Sequence, residues 1–124
     1  MLKRGRRLKL ALWLFLLGLI VFFSLVDLRP YLHVFLRNQD KLFHLVIFAL
    51  LIGLTKKLIP AFSLFQITTF IFSFGILIEV LQKLFTHGVR HFSFNDVLFN
   101  LMGIGFGLIL LTLLQKFKAA RPSV

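Results

Sequence analysis

The sequence predicts an all-α membrane protein with four transmembrane helices. Of its 124 residues, 59% are hydrophobic and 17 are Phe, whereas soluble domains are rarely more than half apolar. The apolar residues fall into four long segments, and ten of the 15 basic residues lie at the N-terminus, in the second loop and at the C-terminus. At this length we expect one domain. The absence of Cys excludes disulfides and thiolate metal sites.

Four segments are candidate spans, since roughly twenty apolar residues cross about 30 Å of hydrocarbon. They cover about 8–26, 41–58, 62–82 and 97–114. The second has the shortest uncharged stretch, but Lys41, Lys56 and Lys57 can extend it by snorkelling. The breaks coincide with Pro30, with Pro60 and with the polar segment 86–96.

The basic residues predict the orientation. Ten of the 15 lie at the N-terminus, in the second loop and at the C-terminus, namely Lys3, Arg4, Arg6, Arg7, Lys9, Lys56, Lys57, Lys116, Lys118 and Arg121. The positive-inside rule therefore places both termini in the cytoplasm. We expect a membrane domain over 10–114, flanked by basic cytoplasmic segments 1–9 and 115–124. No cleavage motif follows the first segment, which indicates an uncleaved helix rather than a signal peptide.

The net charge of +11 does not indicate nucleic-acid binding. All four acidic residues fall on the predicted outer side, so the excess positive charge is concentrated on the inner side. A basic fringe facing anionic lipid explains that distribution. The predicted environment is therefore a lipid bilayer, with no nucleic-acid partner.

Polar side chains recur as three pairs near the predicted outer ends of the second, third and fourth spans. They are Asp40 with His44, Glu79 with Gln82, and Asp96 with Asn100. Residues three or four apart share one face of a helix. Because the second and fourth spans begin on the side where the third ends, we expect all three pairs at one depth.

A stripe of small and polar residues marks the fourth span. Asp96, Asn100, Gly103 and Gly107 follow steps of four, three and four, so they share one narrow face. Glycines on such a face allow a second helix to approach closely. The third span carries a similar stripe that includes Gly75, which predicts that the third and fourth helices pack together through these faces.

Helix capping accounts for part of the polar pattern. The sequence "SFND" places Ser93 or Asn95 where side chains cap a helix, and Asp96 suits the helix dipole. Capping does not explain Asn100 or Glu79, which lie inside their helices. Ionisable groups at such depth usually face a partner or a watery cavity. Arg90, in the preceding loop, is the predicted partner because its guanidinium can hold a carboxylate bidentately.

The same residues occur in an ordered set of short motifs. These are "DKLFH" (Asp40, Lys41, His44), "EVLQ" (Glu79, Gln82), Arg90, and "DVLFNLMGIGFG" (Asp96, Asn100, Gly103, Gly107). This set resembles the VanZ-like family of small bacterial membrane proteins over about 40–114. The resemblance implies a multi-pass protein of the bacterial cytoplasmic membrane, in a family linked to resistance to the glycopeptide teicoplanin. His87 and His91 match no position of that pattern and are interpreted as solvated loop residues.

Three classes of function fit these residues, and we favour binding. In that interpretation Arg90 and Lys41 meet anionic oxygens of an outer-leaflet lipid or cell-wall intermediate, and Glu79, Gln82 and Asn100 orient it. The second class is a membrane-embedded hydrolase or transferase that uses His44 or Glu79 as the general base. In the third, the polar residues only fix the packing of a scaffold.

The sequence argues against an enzyme and against a metal or cofactor. It contains no nucleophile motif and no Gly-rich phosphate loop. Metal ligation by Asp40, His44, Glu79 and Asp96 is chemically feasible, since oxygen and imidazole ligands suit several divalent ions. No HExxH-type spacing is present, however, so no metal is predicted.

Overall fold

The computed structural model describes residues 3–26, 40–85 and 92–122, with only the backbone of Asp40. Within these ranges the chain forms four α-helices: α1 (Arg4–Leu25), α2 (Asp40–Leu58), α3 (Leu64–Phe85) and α4 (Phe94–Ala120). The all-α fold class is therefore confirmed. Three of these helices, α1, α3 and α4, are long and apolar enough to cross a membrane.

Local hydrogen bonds explain where α2 ends and α3 begins. Ser63 and Gln66 form a reciprocal capping box, in which each side chain accepts from the backbone N–H of the other at 3.2 and 2.9 Å. The Lys56 ammonium donates to the carbonyls of Pro60 and Phe62. These contacts satisfy backbone groups in the turn that reverses the chain between α2 and α3.

Successive helices alternate in direction along the chain. Glu79, near the end of α3, bonds to Ser93, just before α4, so α3 and α4 are antiparallel. Gln82 of α3 reaches the carbonyl of Ser24 near the end of α1, so α1 and α3 end at the same level. We call this level, where α1 and α3 end and α2 and α4 begin, the site end of the bundle.

The interior is filled by apolar side chains from all four helices. Its buried members are Trp13, Leu17, Phe48, Leu51, Ile52, Ile67, Ile71, Phe74, Ile78 and Ile104. The indole N–H of Trp13 is satisfied by the hydroxyl of Thr55, at 3.0 Å and in a buried position. Many large apolar side chains remain exposed on the outside of the bundle, as expected for surfaces that face lipid.

Two glycines bring α4 against the backbone of α2. A Cβ on Gly103 would collide with the carbonyl oxygen of Leu45, and a Cβ on Gly107 would lie 2.7 Å from that of Ala49. Because both helices advance by four residues between these contacts, α2 and α4 run parallel. The prediction that Gly103 and Gly107 face α3 is therefore wrong, since the glycine stripe of α4 contacts α2.

The contact between α3 and α4 lies nearer the site end than the contacts of Gly103 and Gly107 with α2. A Cβ on Gly75 would lie 3.2 Å from the amide nitrogen of Asn100 and 2.9 Å from the ring of Phe48. Gly75 thus leaves room for one side chain from α4 and one from α2. At this level α3 and α4 are neighbours, as their polar stripes predicted, because Gly75 lies against Asn100 of α4 and Glu79 bonds to Ser93, the N-cap of α4.

Candidate functional site

Three helices bring polar side chains together at the site end. One ring nitrogen of His44 and one carboxylate oxygen each of Glu79 and Asp96 lie within 4.8 Å of one another. Asn100 joins this group through a hydrogen bond to His44. We call His44, Glu79, Asp96 and Asn100 the polar cluster. The helical spacing of the sequence predicted that these residues share one depth, and the structure also makes them neighbours.

The hydrogen bond between α2 and α4 fixes the tautomer of His44. Its Nδ1 lies 2.9 Å from Oδ1 of Asn100. An amide oxygen can only accept, so Nδ1 carries the proton. In the neutral imidazole the free lone pair is then on Nε2. Asn100 therefore orients His44 and leaves one nitrogen available to a proton, a hydrogen-bond donor or a metal ion.

Glu79 is the most enclosed ionisable side chain of the cluster, with 0% exposure. Its Oε2 accepts from the backbone N–H of Ser93 at 3.3 Å. Ser93 is also the N-cap of α4, where its hydroxyl accepts from the backbone N–H of Asp96 at 3.2 Å. The predicted cap is confirmed for Ser93. The start of α4 thus places the half-buried Asp96 beside Glu79.

Asn100 is buried, with 2% exposure, and uses only part of its hydrogen-bonding capacity. Its Oδ1 accepts from His44, but within the described residues its Nδ2 has no acceptor. This amide nitrogen lies against Gly75, one turn of α3 from Glu79. Buried polar groups normally have a partner because leaving one unpaired costs roughly 1–3 kcal/mol. The Nδ2 of Asn100 can therefore donate a hydrogen bond to a bound group.

Other predicted site residues make contacts with other parts of the bundle or lie outside the described residues. Gln82 is buried, but its amide donates to the Ser24 carbonyl of α1 at 2.9 Å. Lys41 is exposed, and its ammonium lies 5.8 Å from the centre of the Phe99 ring. For Asp40 the structure describes the backbone alone. The predictions for Arg90, His87 and His91 fall outside the described residues.

Two features of the site have no recognisable sequence signal. The backbone N–H of Ser93 and the carbonyl of Ser24 bind Glu79 and Gln82 respectively. Every residue except proline carries such backbone groups, so no residue type distinguishes them. The space that Gly75 leaves for the Asn100 amide is likewise set by which helices are neighbours.

Comparison of the chain with protein-family models, with curated proteins and with solved structures gives no match. The resemblance to the VanZ-like family therefore stays a prediction that rests on the sequence motifs.

The chemistry available at the polar cluster combines acceptors, a donor and an oriented imidazole. Carboxylates from Glu79 and Asp96 can bind cations or hydroxyl and amino groups. The Asn100 amide can donate to an oxygen, and Nε2 of His44 can accept a proton or coordinate a metal. Among the described residues, His44, Glu79 and Asp96 form the group whose atoms are close enough to share one metal ion.

Proposed function

We propose that this protein is a VanZ-like protein of the bacterial cytoplasmic membrane that binds a polar lipid or cell-wall intermediate at its outer face. The observation that supports this most is the convergence of His44, Glu79, Asp96 and Asn100 at one end of the bundle. Intramembrane polar groups that meet at one depth are candidates for binding. The link of the resembled family to teicoplanin resistance makes a cell-envelope ligand the natural class.

The donors and acceptors around the polar cluster suit the head of an amphipathic ligand. Within the described residues, Asn100 has a buried donor without an acceptor, and Glu79 and Asp96 carry oxygens that can accept from hydroxyl or amino groups. In this proposal, Arg90 and the exposed Lys41 bind the anionic oxygens of the head group. Exposed apolar side chains on the helices would contact the acyl chains.

One observation favours hydrolysis or group transfer as a second candidate. The hydrogen bond from His44 to Asn100 holds an imidazole beside two carboxylates. An imidazole oriented in this way can act as a general base. Under this alternative, His44 or Glu79 would move a proton on the bound ligand and Arg90 would stabilise developing charge.

The binding proposal includes a topology of four spans with both termini in the cytoplasm. It assigns α2 to a span although three lysines, Lys41, Lys56 and Lys57, lie near its ends. Lysine side chains can snorkel to the interface, so their charges are compatible with a crossing. In this orientation the site end faces outward, and ten of the 15 basic residues face the cytoplasm.

Cysteine labelling tests the topology directly because the chain has no Cys of its own. Single cysteines at Asn38 and Gly88 should react with an impermeant thiol reagent added to whole cells, or to spheroplasts where an outer membrane blocks access. A cysteine at Ser63, in the turn between α2 and α3, should react only after the cells are opened. Labelling of Ser63→Cys in intact cells would show that the orientation is the opposite of the one proposed.

Lipid retention tests the binding proposal. We expect a lipid or cell-wall intermediate to co-purify with the wild-type protein and to be detected by mass spectrometry of extracted samples. Arg90→Ala should lose it, because the anionic head would lose its bidentate partner. Lys57→Ala is the matched control, since it removes a positive charge from the opposite end of the bundle. Equal retention in wild type and Arg90→Ala, or equal loss in Lys57→Ala, would refute the proposal.

A further inference from the structure

We propose that His44, Glu79 and Asp96 bind one divalent cation at the site end of the bundle. Their ligand atoms lie within 4.8 Å of one another and come from three different helices. Small rotations of these side chains would bring the three atoms into one coordination shell, in which each bond to the metal is about 2.0–2.2 Å long. The proposal departs from the sequence-based expectation of no metal, because ligands on separate helices leave no short spacing motif.

The hydrogen-bonding pattern around His44 suits a metal ligand. Histidines that bind metals usually donate their other ring N–H to a carbonyl or carboxylate oxygen, which fixes the tautomer. The Nδ1–Oδ1 contact of His44 with Asn100 does this at 2.9 Å. This hydrogen bond leaves the lone pair of Nε2 for coordination. Because Asn100 is buried, its side chain has little freedom to move and holds the imidazole in one orientation.

Charge favours a cation at this point. Glu79 and Asp96 place two carboxylates at close range, and Glu79 is fully buried. A divalent ion between two carboxylates would interact favourably with both of them. One imidazole and two carboxylates combine nitrogen and oxygen ligands, a set that accommodates Zn²⁺ or Mn²⁺.

The amide of Asn100 provides an independent sign of a bound group. Its Nδ2 is buried and, within the described residues, lacks an acceptor. Three protein ligands leave at least one coordination position open for water or for an oxygen of another ligand. A metal-bound oxygen on the α3 side of the cluster would give this amide the acceptor that the described residues do not supply.

Metal titration of the wild-type protein tests the proposal without any lipid ligand. Tag-free protein in detergent is stripped with EDTA, dialysed, and titrated with ZnCl₂ and with MnCl₂ in a calorimeter. We expect saturable binding of one ion per chain and a rise in melting temperature, since a ligand that binds only the folded state stabilises it. If neither Zn²⁺ nor Mn²⁺ bound saturably, the proposal would be overturned.

Variants locate the ion. Asp96→Asn and His44→Gln preserve size and should each weaken binding by more than about tenfold, and Asn100→Ala should weaken it by about 10–100-fold as the residue that orients His44. Gln115→Ala, at the far end of α4, is the control. Binding unchanged in both Asp96→Asn and His44→Gln would place the ion elsewhere and overturn the site. Because the titration needs no lipid, its result is independent of the lipid-retention experiment.

Discussion

Replacing Gly103 or Gly107 by leucine is expected to destabilise the protein by about 3 kcal/mol or more, at the upper end of ordinary overpacking costs. At both positions a single added carbon would already meet the carbonyl of Leu45 or Ala49. Those atoms belong to the backbone of α2, so they cannot move aside as a side chain would. The leucine variants must therefore push α2 and α4 apart.

This separation should also disturb the polar cluster. His44 precedes Leu45 in α2, and its hydrogen bond to Asn100 spans the same pair of helices. We expect Gly103→Leu to have the larger effect, because Gly103 lies nearer Asn100. The protein is heated in detergent, and the loss of monodisperse protein is then measured by size-exclusion chromatography.

Gly105→Leu is the matched control on the same helix. A Cβ at Gly105 would meet no atom within 4 Å. Replacing this glycine should be tolerated, with a contribution of up to about 1 kcal/mol from the better helix propensity of the new residue. If Gly103→Leu, Gly105→Leu and Gly107→Leu melted at the same temperature, the close contact between α2 and α4 would be refuted.

The depth of the site could be predicted from the sequence, whereas the neighbours of each helix could not. Helical periodicity and the alternating direction of four apolar segments put His44, Glu79 and Asn100 at one level. The same reasoning gave Gly103 and Gly107 a shared face. That reasoning predicted that this face of α4 packs against α3, because α3 and α4 both carry polar stripes. In the structure the face contacts α2.

The assembly of the site depends on which side chains satisfy one another across helices. Asn100 bonds to His44 of α2, while Glu79 of α3 bonds to a backbone N–H before α4. Periodicity specifies the face and depth of a residue but not the helix opposite it. Backbone donors are also present throughout the chain, so the contact of Ser93 with Glu79 follows only from the three-dimensional arrangement.

Glu79→Gln is expected to leave folding nearly intact and to abolish binding of the lipid or cell-wall ligand. Glutamine keeps the size of the side chain and an oxygen that can accept from the Ser93 N–H. The second carboxylate oxygen is replaced by a nitrogen that can only donate, so the acceptor that the binding proposal assigns to Glu79 for hydroxyl or amino groups is lost. Ser73→Ala is the control, since Ser73 is exposed on the same helix and bonds only locally, to the Thr69 carbonyl.

A scaffold would respond differently. If Glu79 only formed a structural ion pair with Arg90, removing either partner would leave a buried charge unpaired and cost about 3–5 kcal/mol. Removing both would recover part of that loss, as coupled neighbours do in a double-mutant cycle. Arg90 lies outside the described residues, and its pairing with Glu79 is a prediction from the sequence.

The central claim, that the polar cluster binds a ligand, is tested most directly by this double-mutant cycle, with two measurements on the purified protein and one in cells. Glu79→Gln, Arg90→Gln and the double variant are compared with wild type for melting temperature and for retained lipid, with glycopeptide sensitivity of the cells as the in vivo measure. We predict near wild-type melting of Glu79→Gln, with lipid retention lost in all three variants. Destabilised single variants, with both stability and lipid retention restored in the double variant, would contradict the binding site and leave a structural scaffold.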